Sequence, residues 1–165
     1  MDQGNRMKTS NLDRMIQLAE EFFATKNDPT QVSVTEEVMT RLRRIHPATM
    51  SEQIEGDGPV AWILLIPTTQ DLMGQFIAKQ VNEQELLAKT PLQCRYEAVY
   101  LCSALVLPEY RGKGLAKELT IRAVTTMKAD HPIKSLFYWA FSPEGKKLAF
   151  AVASDCGLPL YRRSE

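Results

Sequence analysis

The residues whose types and spacing are best suited to chemistry form one short segment, Arg111-Gly112-Lys113-Gly114. An apolar stretch that predicts a strand precedes the segment, and a pattern that predicts a helix follows it. The first backbone N–H groups of a helix have no partner within the helix, and they carry the positive end of its dipole. The two glycines lack a Cβ atom, and the arginine and the lysine add positive charge. The segment therefore predicts a binding site for an anion, of which a phosphate or a diphosphate is the natural example.

Two common nucleotide-binding loops do not fit this segment. The Walker pattern requires a serine or a threonine after Gly-Lys, whereas Gly114 follows Lys113. The dinucleotide pattern Gly-x-Gly-x-x-Gly requires a glycine at position 117, which is Lys117. From the residues alone, the alternative is a glycine-containing helix start whose charges are solvated and which binds no ligand.

The pattern Arg111-x-x-Gly114-x-Ala116, after Leu105-Val106-Leu107-Pro108, resembles the acetyl-CoA motif of the GNAT N-acetyltransferase superfamily. That motif reads Gln/Arg-x-x-Gly-x-Gly/Ala between the fourth strand and the following helix. The resemblance covers residues 97–160, the second half of the chain. It implies the GNAT-like acyl-CoA N-acyltransferase fold of the α/β (α+β) class, with a mixed central sheet flanked by helices. It also implies direct transfer of an acetyl group from acetyl-CoA to a primary amine of a small molecule or a peptide.

The resemblance also implies which residues contact the coenzyme. Backbone amides of the glycine-bearing turn would hold the diphosphate, and the end of the preceding strand would pair with the pantetheine arm. Ser142 stands where many members of the family have an asparagine. The implied acetyl-CoA-binding residues are Leu105, Val106, Leu107, Arg111, Gly112, Lys113, Gly114, Leu115, Ala116 and Ser142.

Acetyl transfer needs a base for the proton of the amine and a donor for the developing oxyanion. The glutamate that is the base in the histone-acetylating branch falls here on Tyr100, and Glu97 lies three residues earlier on the same predicted strand. The backbone N–H of Val106 is the candidate oxyanion donor. The family tyrosine that protonates the leaving thiolate falls on Ala153, four residues before Gly157.

These departures leave two alternative functions open. The first is a CoA- or acyl-CoA-binding module without transfer activity, with a role in sensing or in scaffolding a partner. The second is an α/β domain that binds a phosphate ligand unrelated to CoA. Binding of the coenzyme excludes the second alternative, and release of free thiol in the presence of an amine excludes the first.

The elements that must position these residues follow from hydrophobic periodicity and from breaks at proline and glycine. Residues 1–165 are expected to form a single domain, with a helical N-terminal part on the acceptor side (1–58) and an acetyl-CoA-binding part (95–160). Strands are predicted over residues 60–66, 97–107, 134–141 and 158–161, with a further candidate at 31–34. Helices are predicted over residues 12–25, 35–46, 71–89 with a break near Asn82, 112–130 and 143–153. The helix-rich first half and the alternation of strands and helices in the second half favour the α/β class.

The composition excludes several other classes of function. The chain has 165 residues, with 20 Lys+Arg against 20 Asp+Glu, so it lacks the basic excess of a general nucleic-acid-binding protein. No apolar run reaches the roughly 18 residues of a membrane span, so we expect no membrane partner. The beginning of the sequence has no apolar signal core, and the three cysteines have no paired spacing, which favours the cytoplasm. No His, Cys and Asp cluster has metal-ligand spacing, so no metal is expected, and the oligomeric state is left open, including a homodimer.

Overall fold

The structure, a computed structural model, describes residues 9–26, 35–139 and 142–164. Its helices are α1 (Asn11–Lys26), α2 (Glu36–Ile45), α3 (Gln70–Ile77), α4 (Glu83–Lys89), α5 (Leu115–Asp130) and α6 (Pro143–Cys156). Its strands are β1 (Met50–Glu55), β2 (Gly58–Thr68), β3 (Ala98–Val106), β4 (Ser135–Trp139) and β5 (Leu160–Arg163). Short 3₁₀ turns cover Pro47–Thr49 and Pro108–Tyr110. None of the described helices is long and apolar enough to cross a membrane.

The strands form one mixed sheet in the order β1-β2-β3-β4-β5. Strand β2 pairs antiparallel with both β1 and β3, whereas β3, β4 and β5 run parallel to one another. Parallel neighbours require a crossover, and α5 and α6 provide the two crossovers. This arrangement confirms the predicted α/β class with a mixed central sheet flanked by helices.

Helices cover both faces of the sheet. Helix α5 packs on β1, β2 and β3, and α6 packs on β4 and β5. Helix α1 packs on β2 and β3 through a separate cluster that contains Met15, Val60 and Leu105. Because side chains alternate along a strand, Ala61 and Ile63 point away from α1 and join the main core with α5. The sheet therefore divides the core into a larger layer and a smaller one.

The connection between β2 and β3 is much longer than two antiparallel neighbours need. Thr68 pairs with Ala98, yet residues 69–97 separate them and contain α3, α4 and a loop. A two-residue turn can join such strands. The sequence predicted helix here with a break near Asn82, and this is confirmed, because α3 ends at Ile77 and Asn82 caps α4. The connection places α3 against β3 and β5.

Strand β1 was missed by the sequence analysis, so the description of residues 1–58 as a helical part needs correction. Strand β1 pairs with β2 around a hairpin in which Gly56 has a φ of +63°. Its residues, Met-Ser-Glu-Gln-Ile-Glu, are mostly polar and largely exposed because β1 lies at the edge of the sheet. An exposed polar edge strand lacks the apolar pattern by which a strand is recognised. The candidate strand at 31–34 and the end of the predicted strand 134–141 lie outside the described residues.

Candidate active site

Strands β3 and β4 pair over a short distance and then separate. Among the described residues the paired rungs run from Ala98 with Ser135 to Tyr100 with Phe137. Strand β3 continues to Val106, and its residues 101–104 are half-buried although β3 is the central strand of the sheet. The two strands thus leave an open edge on β3, which we call the cleft, with its inner end at Tyr100.

A β-bulge turns particular backbone groups of β3 toward the cleft. Leu101 pairs with Leu65 and Ser103 pairs with Leu64, so Cys102 is the extra residue. The N–H of Leu107 donates to the carbonyl of Val60 on β2 at 2.9 Å.

Because strand N–H groups alternate in direction, those of Ala104 and Val106 point to the cleft. The geometry is thus compatible with Val106 as an oxyanion donor. Leu105 and Leu107 were expected to contact the pantetheine arm. In the structure their N–H groups face β2, and their side chains are buried beneath α1.

The outer end of the cleft leads to the glycine-bearing turn. Gly112 and Gly114 both have a φ of +78°, a conformation that side chains with a Cβ rarely adopt. Gly114 is the N-cap of α5 and offers no side-chain cap, so the N–H groups of Leu115 and Ala116 are not occupied by a capping side chain. A Cβ at Gly112 would meet no atom within 4 Å, which leaves room for a ligand against the backbone.

Two cations flank this turn. The Nε of Arg111 donates to the carbonyl of Val106 at 2.9 Å, so the guanidinium lies at the outer end of the cleft. The ammonium of Lys113 lies 5.4 Å from the centre of the Tyr110 ring. The structure therefore brings together Val106 and the predicted anion-binding residues Arg111, Gly112, Lys113 and Gly114.

The structure does not bring Glu97 to this site. Glu97 lies before the paired rungs of β3 and β4, three residues from Tyr100 and nine residues, or about 30 Å of strand, from Val106. Its carboxylate pairs with Lys134 at 3.1 Å, at the end of β3 remote from the turn. Ser142 is the N-cap of α6, where its hydroxyl accepts the N–H of Gly145 at 3.0 Å.

Tyr100 lies at the inner end of the cleft but is 1% exposed. Its hydroxyl donates to the Oε2 of Glu83. Burial raises the pKa of Tyr100 well above its ordinary value, and the neighbouring charge of Glu83 raises it further. Tyr100 is therefore a protonated donor at neutral pH and is not a base by itself.

Glu83 is a candidate residue that the sequence analysis missed. It is the first residue of α4 and is 2% exposed. Besides Tyr100, the Sγ of Cys102 lies 3.8 Å from the same carboxylate oxygen. In the sequence Glu83 looks like one of several glutamates on a solvated helix. The one available signal was the long connection between two strands that need only a turn.

Aromatic rings and a guanidinium surround this pair. The ring of Phe76 lies 4.7 Å from that of Tyr100. The guanidinium carbon of Arg163 lies 4.5 Å from the centre of the Phe76 ring and 4.6 Å from that of Trp139. The Nη1 of Arg163 donates to the carbonyl of Val81 at 2.8 Å, which ties β5 to the connection between β2 and β3.

Comparisons with known proteins agree with this geometry. The profile described as "Acetyltransferase (GNAT) family" matches residues 14–156. The fold is similar to that of Naa20 from Chaetomium thermophilum, whose crystal structure is a complex with a bisubstrate analogue, with a TM-score of 0.52 and 12% identity. That alignment covers 90% of this chain and 68% of the other chain. No curated protein sequence gives a significant match. The matched profile spans most of the chain, and this protein therefore belongs to the GNAT acetyltransferase family.

Proposed function

We propose that this protein is an N-acetyltransferase that moves an acetyl group from acetyl-CoA directly to a primary amine of a small molecule or a peptide. The observation that carries the proposal is the cleft between β3 and β4, which runs from Tyr100 to the glycine-bearing turn. One end offers backbone donors to an anion, and the other end holds a buried carboxylate beside the strand.

The residues of the turn fit the diphosphate of the coenzyme. The N–H groups at the start of α5 and the two left-handed glycines allow an anion to approach the backbone closely. Arg111 and Lys113 supply positive charge at the same place. From this turn the pantetheine arm would run inward along the edge of β3, where Val106 and Ala104 present their N–H groups. Val106 and Cys102 are four residues apart, about 13 Å of strand, which an extended pantetheine arm can follow.

The transfer step requires an oxyanion donor, a base and a proton source for the thiolate. An N–H of Ala104 or Val106 would donate to the oxyanion as the amine attacks the thioester carbonyl, a contact worth about 3–4 kcal/mol where it has been removed. A base must take the proton of the amine. The departing thiolate has an ordinary pKa of about 8.5, so water can protonate it. Solvent protonation agrees with the absence of the family tyrosine at Ala153, which is 6% exposed in the core.

An acyl-CoA-binding module without transfer activity is the second candidate. The buried Ala153 in place of the family's acid favours it, because one of the usual catalytic groups is missing. Both candidates require coenzyme binding, and only the first requires acetyl transfer.

A two-stage experiment tests the proposal. Acetyl-CoA at 100 times its Kd should stabilise the protein by about 2.7 kcal/mol, a melting shift of roughly 5–10 °C for a chain of this size. Release of free CoA thiol is then measured over a panel of small amines, lysine side chains and peptide N-termini. Amine-dependent thiol release supports transfer. Binding without release for any amine supports the second candidate, and no binding of acetyl-CoA, CoA or longer acyl-CoAs contradicts both.

A further inference from the structure

We propose that Glu83, acting through the hydroxyl of Tyr100, accepts the proton that the acceptor amine loses. This inference rests on the proposed acetyltransferase function. It assigns the base to the connection between β2 and β3 and not to the strand itself.

The first argument is the burial of the carboxylate. Glu83 is 2% exposed, and no other carboxylate in the described part of the chain is buried. Removing a carboxylate from water is costly unless the site uses or compensates it. Capping of α4 does not explain the burial, because Asn82 and Glu85 already form the capping box of that helix.

The second argument is location. Tyr100, which donates to Glu83, belongs to the last rung that pairs β3 with β4 among the described residues, so it marks the inner end of the cleft. Cys102, half-buried at the bulge, contacts the same oxygen of Glu83. The carboxylate is thus separated from the cleft by one side chain, at the end where the thioester would lie if the diphosphate occupies the turn at Gly114.

The third argument is the course of the chain. Residues 69–97 connect β2 and β3, where a simple turn would suffice. They place Glu83 within hydrogen-bond distance of the Tyr100 hydroxyl. The hydrogen bond from Arg163 to the carbonyl of Val81 holds the connection two residues before Glu83. The aromatic contacts of Arg163 with Phe76 and Trp139 fix the same region from the neighbouring strands.

The proton transfer balances without any further reactant. As the amine nitrogen forms its bond to the acetyl carbon, its proton passes to the Tyr100 oxygen, and the Tyr100 proton passes to Oε2 of Glu83. The C–S bond breaks, and the thiolate leaves and takes a proton from water. Glu83 then returns its proton through Tyr100 to solvent, so both side chains end as they began.

The groups that face Glu83 suit this role. Tyr100 and Cys102 approach it from β3, and the positive charge of Arg163 on β5 acts on Tyr100. Because its pKa is raised, Tyr100 keeps its proton and passes it on only when it receives another.

The test is Glu83→Gln, which keeps the shape of the side chain and an acceptor for Tyr100 while it removes the base. With the best amine of the panel, kcat/KM should fall about 100- to 1,000-fold at neutral pH, the usual range for one acid–base group. The loss should persist at a pH above the pKa of the amine, because the proton that Glu83 accepts leaves the nitrogen only as the C–N bond forms. Tyr100→Phe should show a similar loss, since it interrupts the relay. Asp71→Asn, an exposed carboxylate in the same connection, is the control and should leave kcat/KM unchanged.

Melting temperature and acetyl-CoA affinity of each variant show whether the fold survives. If Glu83→Gln does not fold, Tyr100→Phe and the conservative Glu83→Asp, which should retain measurable transfer, carry the test. Wild-type activity that is retained in Glu83→Gln or in Tyr100→Phe, with the same pH profile, overturns the relay alone. A larger loss in Glu97→Gln than in Glu83→Gln also overturns it. A wild-type protein that binds acetyl-CoA but acetylates no amine contradicts the proposed function, and with it the relay.

Discussion

Arg14 on α1 and Glu109 in the turn after β3 form a bidentate ion pair, with Nη1–Oε2 and Nη2–Oε1 distances of 2.6 Å each. The hydrogen bonds from Arg14 lower the pKa of Glu109 to about 2. Glu109 therefore stays ionised at any physiological pH, two residues before Arg111. The pair fastens the first helix to the proposed anion site, and Arg14 neutralises a carboxylate that would otherwise oppose an anion there.

Removal of Arg14 should weaken coenzyme binding through the exposed charge of Glu109. We expect Arg14→Ala to raise the Kd for acetyl-CoA about two- to fivefold at low salt, the size of one screened charge a few ångströms away. The double variant Arg14→Ala/Glu109→Gln should recover most of this loss, and Glu109→Gln alone should not weaken binding. Calorimetric titration at two salt concentrations measures the four affinities. Equal losses in the single and the double Arg14 variants would mean that Arg14 acts by some route other than Glu109.

The same pair predicts a pH dependence whose sign follows from the lowered pKa. Glu109 in the folded wild type stays charged down to pH about 2, whereas loss of the Arg14 hydrogen bonds, the largest cause of the lowering, should raise its pKa toward the ordinary value of about 4.3. The ratio of the Arg14→Ala and wild-type Kd values should therefore fall toward one as the pH decreases from 6 to 4. Any contribution of the pair to stability is present above the unfolded pKa and is lost as the pH falls toward 2. A Kd ratio that stays constant over this range would contradict the account.

Gly114→Asp should abolish coenzyme binding while the fold is retained. The substitution places a carboxylate where the diphosphate is proposed to lie, and like charges about 4 Å apart near a protein surface repel by up to about 4 kcal/mol. We expect the Kd for acetyl-CoA to rise about 100-fold or more. Gly56→Asp is the matched control, because Gly56 has a similar φ of +63° and lies in the hairpin between β1 and β2. Both variants should lose comparable stability from backbone strain, and only Gly114→Asp should lose the melting shift with acetyl-CoA.

The sequence could predict the parts of the candidate site whose residues are adjacent in the chain. The turn at Gly112–Gly114 was predictable because its glycines, its cations and the helix that follows are adjacent in the chain. The contact between Glu83 and Tyr100 was not, because the two residues are 17 positions apart on different elements and a glutamate at a helix start is ordinarily solvated. The strand face was missed for a related reason, since the bulge at Cys102 changes which residues after it point to the cleft. Geometry formed by adjacent residues was therefore predictable from the sequence, and geometry made by strand pairing and burial was not.

Arg163 should stabilise the inner end of the cleft through ring contacts and a hydrogen bond that a lysine cannot make together. Its guanidinium lies over Phe76 and Trp139 and donates to the Val81 carbonyl. A planar guanidinium can stack and donate together, whereas an ammonium cannot. We expect Arg163→Lys and Arg163→Met each to lower the free energy of unfolding by about 1–3 kcal/mol. Urea unfolding measures it, and Arg162→Lys, an exposed neighbour on the same strand, is the control that should change little.

Cys102 offers a chemical probe of where the coenzyme lies. It is half-buried at the bulge, on the part of β3 that the thioester end of the coenzyme would cover. Saturating acetyl-CoA should slow alkylation of Cys102 by about tenfold or more, because a site that is 90% occupied reacts only while it is free. Cys94, also half-buried but in the loop before β3, is the internal control, and its alkylation rate should not change. Mass spectrometry of digested samples gives both rates from one reaction. Protection of Cys94 without protection of Cys102 would place the coenzyme elsewhere, whereas protection of Cys102 by CoA and its loss in Gly114→Asp would connect both ends of the cleft to one ligand.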